Sequence, residues 1–346
     1  LKNISQIVFY AAFLLIAVFR FPSTDMRVSY QVLAEAGAML VLCALIWRIN
    51  PWVALFGVLA VFSTHFPGYT KASYYAGAAV MVGLVWYYAA FQLGGVGHIL
   101  DSMLIIAMAN LLFIFLQVAN LDPIFAPINE GSKSYVGLMS NRNETAAIMA
   151  FCLPAAFRPK RWYFIIPIVV GLFLAKSCGG AVAAVFASVV FVLVCAKGLH
   201  GVYALAPVLV LAVAYLWADG PSVNARWDIW LRGFDIYKDH PIFGWGIGHW
   251  KMVYNVGVDR VVMAAHNDVL QGVFESGIPF AIILCGYGVN IIRKIRRGVA
   301  VAAAGVAAVV ANALVNFPFH IATTAIIAVT WLAVFEIQLK ETENAR

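Results

Sequence analysis

The sequence predicts an all-α polytopic membrane protein with about 12 transmembrane helices, and three observations predict it. Hydrophobic residues make up 63% of the chain and charged residues 11%, whereas soluble domains run at roughly 45–50% and 25%. The apolar residues come in runs near the length a bilayer needs, about 17–25 residues. One long polar-aromatic stretch, 218–277, interrupts them. A loop of that length in a compact chain is more often functional than a passive connector.

Segmenting at charges, Pro and Gly gives candidate spans at 4–20, 28–47, 51–65, 72–92, 99–118, 141–157, 161–176, 178–196, 201–217, 278–292, 299–315 and 321–338. The connections are too short for a separate soluble domain, so residues 1–346 are expected to form a single integral-membrane domain. The first apolar run leads into another span rather than a small-residue cleavage site, which argues against a cleavable signal. The five cysteines lie in or beside apolar runs without disulfide or metal spacing and read as small buried hydrophobes.

Orientation follows from the basic residues. If every candidate crosses, Lys2, Arg48, Arg158, Lys160, Arg161, Lys197, Arg293, Lys294, Arg296, Arg297, Lys340 and Arg346 share one side. The short connections opposite hold only Arg20, Arg27, Lys71, Lys133, Arg142 and Lys176. The positive-inside rule therefore places both termini in the cytoplasm and the loop 218–277 outside. The net charge of +7 is thus topological, and nucleic acid is not an expected partner.

Along the outward face, four clusters stand out. Segment 119–140, rich in turn formers, leads into Asn141-Arg142-Asn143-Glu144, more polar residues than a helix cap and a snorkelling Arg require. Lys176 precedes Ser177-Cys178-Gly179 on the outward side, where it can snorkel or meet an anion. Residues 222–240 read as an amphipathic helix, capped by Ser222 or Asn224 and ended by His240-Pro241. Arg226, Trp230, Phe234 and Tyr237 form its aromatic side, with Asp228, Arg232, Asp235 and Asp239 opposite. An Arg on the apolar side needs an acidic or phosphate partner, which singles out Arg226.

Phe243-Gly-Trp-Gly-Ile-Gly248 superficially resembles a dinucleotide fingerprint. It lacks the preceding parallel strand and the downstream acid, so its glycines are read as letting the backbone turn and approach a bulky ligand. His266 and Asn267 open an apparent helix through Glu275 that ends at Gly277-Ile-Pro279. A neutral imidazole at the outward mouth of a span is suited to removing a proton from a hydroxyl. His240, His249 and Asp268 have no compact ligand spacing, so no metal is expected.

Taken together, these pieces resemble the O-antigen ligase and polymerase family of bacterial inner-membrane glycosyltransferases. The matching residues are Gly137-Leu-Met-Ser-Asn141-Arg142-Asn143, Ser177-x-Gly179, Arg226-Trp-x3-Trp230, Pro241-x2-Gly-x-Gly-x-Gly248 and His266-Asn267-x2-Leu270-Gln271-x3-Glu275-x-Gly277, with Asn316-Phe-Pro318 similar to the last short outward loop. The resemblance covers roughly residues 130–340 and implies a GT-C-like fold in the inner membrane with a periplasmic active site. It implies a donor glycan on undecaprenyl pyrophosphate, transferred with inversion to a hydroxyl of lipid A-core, with membrane lipid around the site and no cofactor or metal. His266 is then the general base and Arg226 binds the leaving pyrophosphate. Lys176, Asn141, Arg142, Asn143, Arg232, Asn267 and Gln271 are the expected substrate-binding residues.

There are departures. Many relatives carry Ser-Arg-Gly where this chain has Ser177-Cys178-Gly179, and Lys176 is the candidate substitute, a point charge without the Arg fork. Relatives often have an acid near Asn316. A polymerase or a protein O-oligosaccharyltransferase would share these motifs. A transporter would instead predict paired charges deep in the spans and symmetry between halves.

Overall fold

The computed structural model describes residues 10–11, 51–64, 71–93, 95–122, 135–139, 141–195, 221–257 and 261–345. The spans expected at 28–47 and 201–217, and that at 4–20 apart from Tyr10 and Ala11, lie outside the described residues. So does most of the turn-rich segment at 123–134.

No strand occurs among the described residues. The helices are α1 (Pro51–Thr64), α2 (Lys71–Leu93), α3 (Val96–Val118), α4 (Arg142–Cys152), α5 (Ile165–Ala175), α6 (Cys178–Cys195), α7 (Pro221–Tyr237), α8 (Trp250–Tyr254), α9 (Asp268–Lys294), α10 (Ala300–Ala313) and α11 (Ala322–Asn344). Four of them, α3, α6, α9 and α11, are long and apolar enough to cross a membrane. The segments Trp162–Ala175 and Arg297–Ala313 are apolar but shorter.

The core is built on small residues. α6 makes its most extensive contact with α10, and the facing surfaces are Gly179, Gly180, Ala183, Ala184 and Ala187 against an alanine-rich helix. Small side chains let membrane helices approach backbone to backbone, where apolar burial against lipid supplies little drive. At Gly180 a Cβ would lie 2.5 Å from that of Ala146, so α4 also rests on this face. Gly305 gives way to the buried Trp331 ring in the same manner. The polar ends of the large aromatics are paired inside: Trp331 donates to Phe151 O at 2.8 Å, and Trp86 to Thr330 Oγ1 at 3.0 Å.

Within 218–277 the described residues form α7, α8 and the start of α9, joined by irregular segments. The predicted amphipathic helix appears as α7, and its faces are rotated from those expected. Its inward side carries Arg226, Ile229, Trp230, Gly233, Ile236 and Tyr237, and a Cβ on Gly233 would sit 2.9 Å from the Trp250 ring. Phe234 points outward, 58% exposed, with Trp227 and Leu231. At 100° per residue the buried stripe centres on Gly233, which puts Phe234 about 100° away from it.

α9 differs from the sequence reading in one respect. The helix expected to stop at Gly277 and the span expected from 278 form one element, Asp268–Lys294, broken locally where Gly277 takes φ 68° and ψ −158°. Pro279 has no N–H for the carbonyl of Glu275, four residues earlier. The glycine-rich loop supplies the missing donors: Trp245 N bonds to Phe274 O at 3.0 Å and Gly246 N to Glu275 O at 2.8 Å. In return, Ile278 N bonds to Pro241 O and Ile242 O. The glycines therefore allow close approach to the chain itself. A Cβ at Gly244 would lie 2.5 Å from Glu275 C, at Gly248 2.6 Å from Ala72 O, and at Gly277 2.1 Å from Ile242 O.

Candidate active site

The site assembles on the short connection between α10 and α11, residues 314–321. Arg226 reaches it from α7, donating through Nη1 to Val315 O at 2.8 Å. Two residues on, the Phe317 ring packs edge-on to His266, with centroids 4.9 Å apart. At the far end, His320 Nδ1 lies 2.6 Å from Asp268 Oδ1, while Asp268 Oδ2 accepts from Phe319 N at 2.8 Å.

His266 sits just before the cap of α9 in left-handed backbone, φ 54°. The residue before it is held on both sides: Ala265 O accepts from Trp230 Nε1 at 2.8 Å, and Ala265 N donates to Gln271 Oε1 at 3.0 Å. The Gln271 amide also donates to Glu275 Oε1 at 3.0 Å and faces His320 Nε2 at 2.8 Å. Glu275 is buried, and its carboxylate accepts from Gly248 N at 3.0 Å and Trp250 N at 3.2 Å. A buried carboxylate stays affordable when backbone N–H groups surround it. One polar chain thus links the glycine loop, the backbone before His266 and the 314–321 connection.

Beside it, two helix N-termini meet. Asn141 caps α4 by accepting from Asn143 N at 2.8 Å, and Ser177 Oγ, at the start of α6, donates to Asn143 Oδ1 at 2.7 Å. Asn312 Nδ2 bonds to Gly179 O at 3.0 Å, tying α10 to the same corner. Upstream, Gln117 accepts from Val136 N and Gly137 N and fixes the turn into α4. Arg226 is half-buried, and desolvation lowers its pKa from the usual value, partly offset by the nearby Cys178 thiol. Among the described residues it has no carboxylate partner, only the Val315 carbonyl. A desolvated guanidinium beside two helix N-termini favours an anion there.

Residues 163–285 match the family model described as O-antigen ligase. The match supports the family that the motifs resemble, and with it glycosyl transfer in general. No individual curated protein matches the chain. The O-antigen ligase match takes in Ser177, Arg226, the glycine loop, His266, Gln271 and Glu275; it leaves out Asn141–Asn143 and the 314–321 connection, which the fold adds to them. Among the described residues four helices are long and apolar enough to span a bilayer, which together with the family match supports a membrane protein.

The expected site residues divide in two. Arg226, His266, Asn143 and Asn141 lie around the corner just described, and Arg142 and Lys176 are exposed at the starts of α4 and α6, Lys176 in left-handed backbone at φ 50°. Arg232 is directed elsewhere: it donates to Tyr254 O and Val256 O and lies over the Tyr254 ring. Asn267 caps α9 through Leu270 N at 2.9 Å, and Gln271 is buried among internal partners. Asp268, His320 and Trp230 were not singled out as site residues from sequence. Asp268 sits three residues before Gln271 on one helical face, a spacing that could have marked it; His320 carried no such signal. Among the described residues no three His, Cys, Asp or Glu side chains group to hold a metal ion.

Proposed function

We propose that the chain is an O-antigen ligase-like glycosyltransferase moving a glycan from undecaprenyl pyrophosphate to a hydroxyl of lipid A-core. The observation that carries this reading is that Val315 and Phe317, two residues apart, contact Arg226 and His266 respectively. His266 takes the proton from the acceptor hydroxyl as its oxygen attacks the anomeric carbon. The bond from that carbon to the pyrophosphate oxygen breaks with inversion, and the diphosphate leaves against Arg226. Stabilising the charge that develops on a leaving group lowers the barrier directly. The N-termini of α4 and α6, with Lys176 and Arg142, add positive potential on the same side.

The proposed topology has about 12 spans, cytoplasmic termini and a periplasmic site. The outward apolar stripe of α7, Trp227, Leu231 and Phe234, suits a helix lying at the membrane interface, where a polyprenyl-linked donor must be met. Metal independence is part of the reading, since Arg226 and the helix N-termini supply the charge stabilisation.

The test is transfer in liposomes from purified undecaprenyl-pyrophosphate glycan to lipid A-core, comparing wild type with His266→Ala. Transfer by wild type that falls about 10²–10⁴-fold in the variant is expected, and a chelator should leave the wild-type rate unchanged. Chain extension of the donor alone, without lipid A-core, would assign the chain as a polymerase instead. Silence in both assays from folded protein would revive the transporter.

A further inference from the structure

A second surface lies at the other end of the membrane-spanning frame. Along α3, Asp101, Leu104, Ile105, Met108, Ala109 and Leu112 recur at helical spacing and line a groove of about 540 Å³, which Arg161 and Tyr163 help close. Its wall is apolar and open: Ile105 is 55% and Leu112 57% exposed. From Asp101 to Leu112 the stripe rises about 16 Å, close to the depth of one leaflet, about half of the ~30 Å hydrocarbon core.

The ends of the groove differ chemically. At one end Asp101 is shared by Arg158 Nη2 at 2.7 Å and Arg161 Nε at 3.0 Å. Lys160 stands beside them in left-handed backbone, φ 64°, and exposed. Two arginines thus share one carboxylate, and with Lys160 exposed in the same turn this end of the groove carries a net positive charge. Trp162 and Tyr163 follow at once, both about half exposed, as aromatic side chains do at headgroup level. The other end, Leu112, carries no charge. The 158–161 turn is one helix length from Asn141 and Asn143, so this surface is not part of the candidate active site.

The geometry points to a binding site for one anionic phospholipid of the bilayer, with an acyl chain along α3 and the phosphate at Lys160 and Arg161. The net positive end selects charge, and the one-leaflet length selects a single acyl chain rather than a longer polyprenyl tail. An annular lipid would show neither preference.

The experiment is native mass spectrometry of the full chain in detergent, equilibrated with phosphatidylglycerol, phosphatidylethanolamine or undecaprenyl phosphate. One phosphatidylglycerol should be retained per chain in preference to the zwitterionic lipid. Lys160→Gln, on an exposed turn, should weaken that binding about fivefold, the effect of one cation at a charged lipid surface. Ala109→Phe should fill the groove and abolish binding without altering any charge. Equal retention of the two phospholipids overturns the proposal, as does a Lys160→Gln chain that holds phosphatidylglycerol as wild type does. Preferential retention of undecaprenyl phosphate gives the groove to the lipid carrier, and its occupation by a second copy makes it a dimer contact; either also overturns it.

Discussion

Arg226 and His266 test the proposed chemistry at the scale of single residues. Replacing Arg226 with Lys keeps a cation but removes the planar fork that pairs with phosphate oxygens. Arg226→Lys should therefore lose most of the activity that Arg226→Ala loses, with turnover down roughly 10²–10³-fold for the alanine variant. Comparable rates for Arg226→Lys and wild type, measured in the same liposome assay, would remove the bidentate role. Glu275 belongs to the support beneath them. Its carboxylate receives two backbone N–H groups and the Gln271 amide, so Glu275→Gln turns one acceptor into a donor facing donors. We expect a loss of about 1–3 kcal/mol in unfolding stability, read by thermal denaturation in detergent.

At the scale of elements, the break in α9 and the glycine loop are two halves of one device. Pro279 and the Gly277 backbone release carbonyls, and the loop beginning at Pro241 returns N–H groups to them. Gly277 occupies a region of backbone space open to glycine almost alone, with Ile242 O at 2.1 Å from where a Cβ would be. Gly277→Ala should cost more than the ~1–3 kcal/mol of the conformation itself. Gly257 is a control, since its φ is 71° and no described residue lies within 4 Å of its would-be Cβ. Gly257→Ala should cost about 1–2 kcal/mol, and equal melting temperatures for the two variants would contradict the interlock.

Across the whole molecule, the 314–321 connection gathers contacts from residues far apart in sequence: Arg226, His266, Asp268 and Gln271 all meet it. Groups in one hydrogen-bonded network are not additive on deletion. His320→Ala and Asp268→Asn are each expected to lower transfer, and the double variant to be little worse than the weaker single. A double variant whose loss equals the two singles combined would show that Asp268 and His320 act apart.

Composition and apolar run length were enough to reveal a helical membrane protein, because bilayer insertion depends on local hydropathy and helix length. The spans expected at 99–118 and 178–196 appear as α3 and α6 with ends close to those expected, for the same reason, while α11 runs on to Asn344, beyond the expected end at 338. His266, Arg226 and the glycine motif were legible because unusual residue types stand out against an apolar background. Which residues meet was decided only by tertiary structure. Nothing in the sequence near His320 pairs it with Asp268, and nothing near the glycines says that Glu275 and Ile242, not a ligand, lie against them. Those partners are far apart along the chain, and helix packing alone brings their polar atoms within hydrogen-bonding distance.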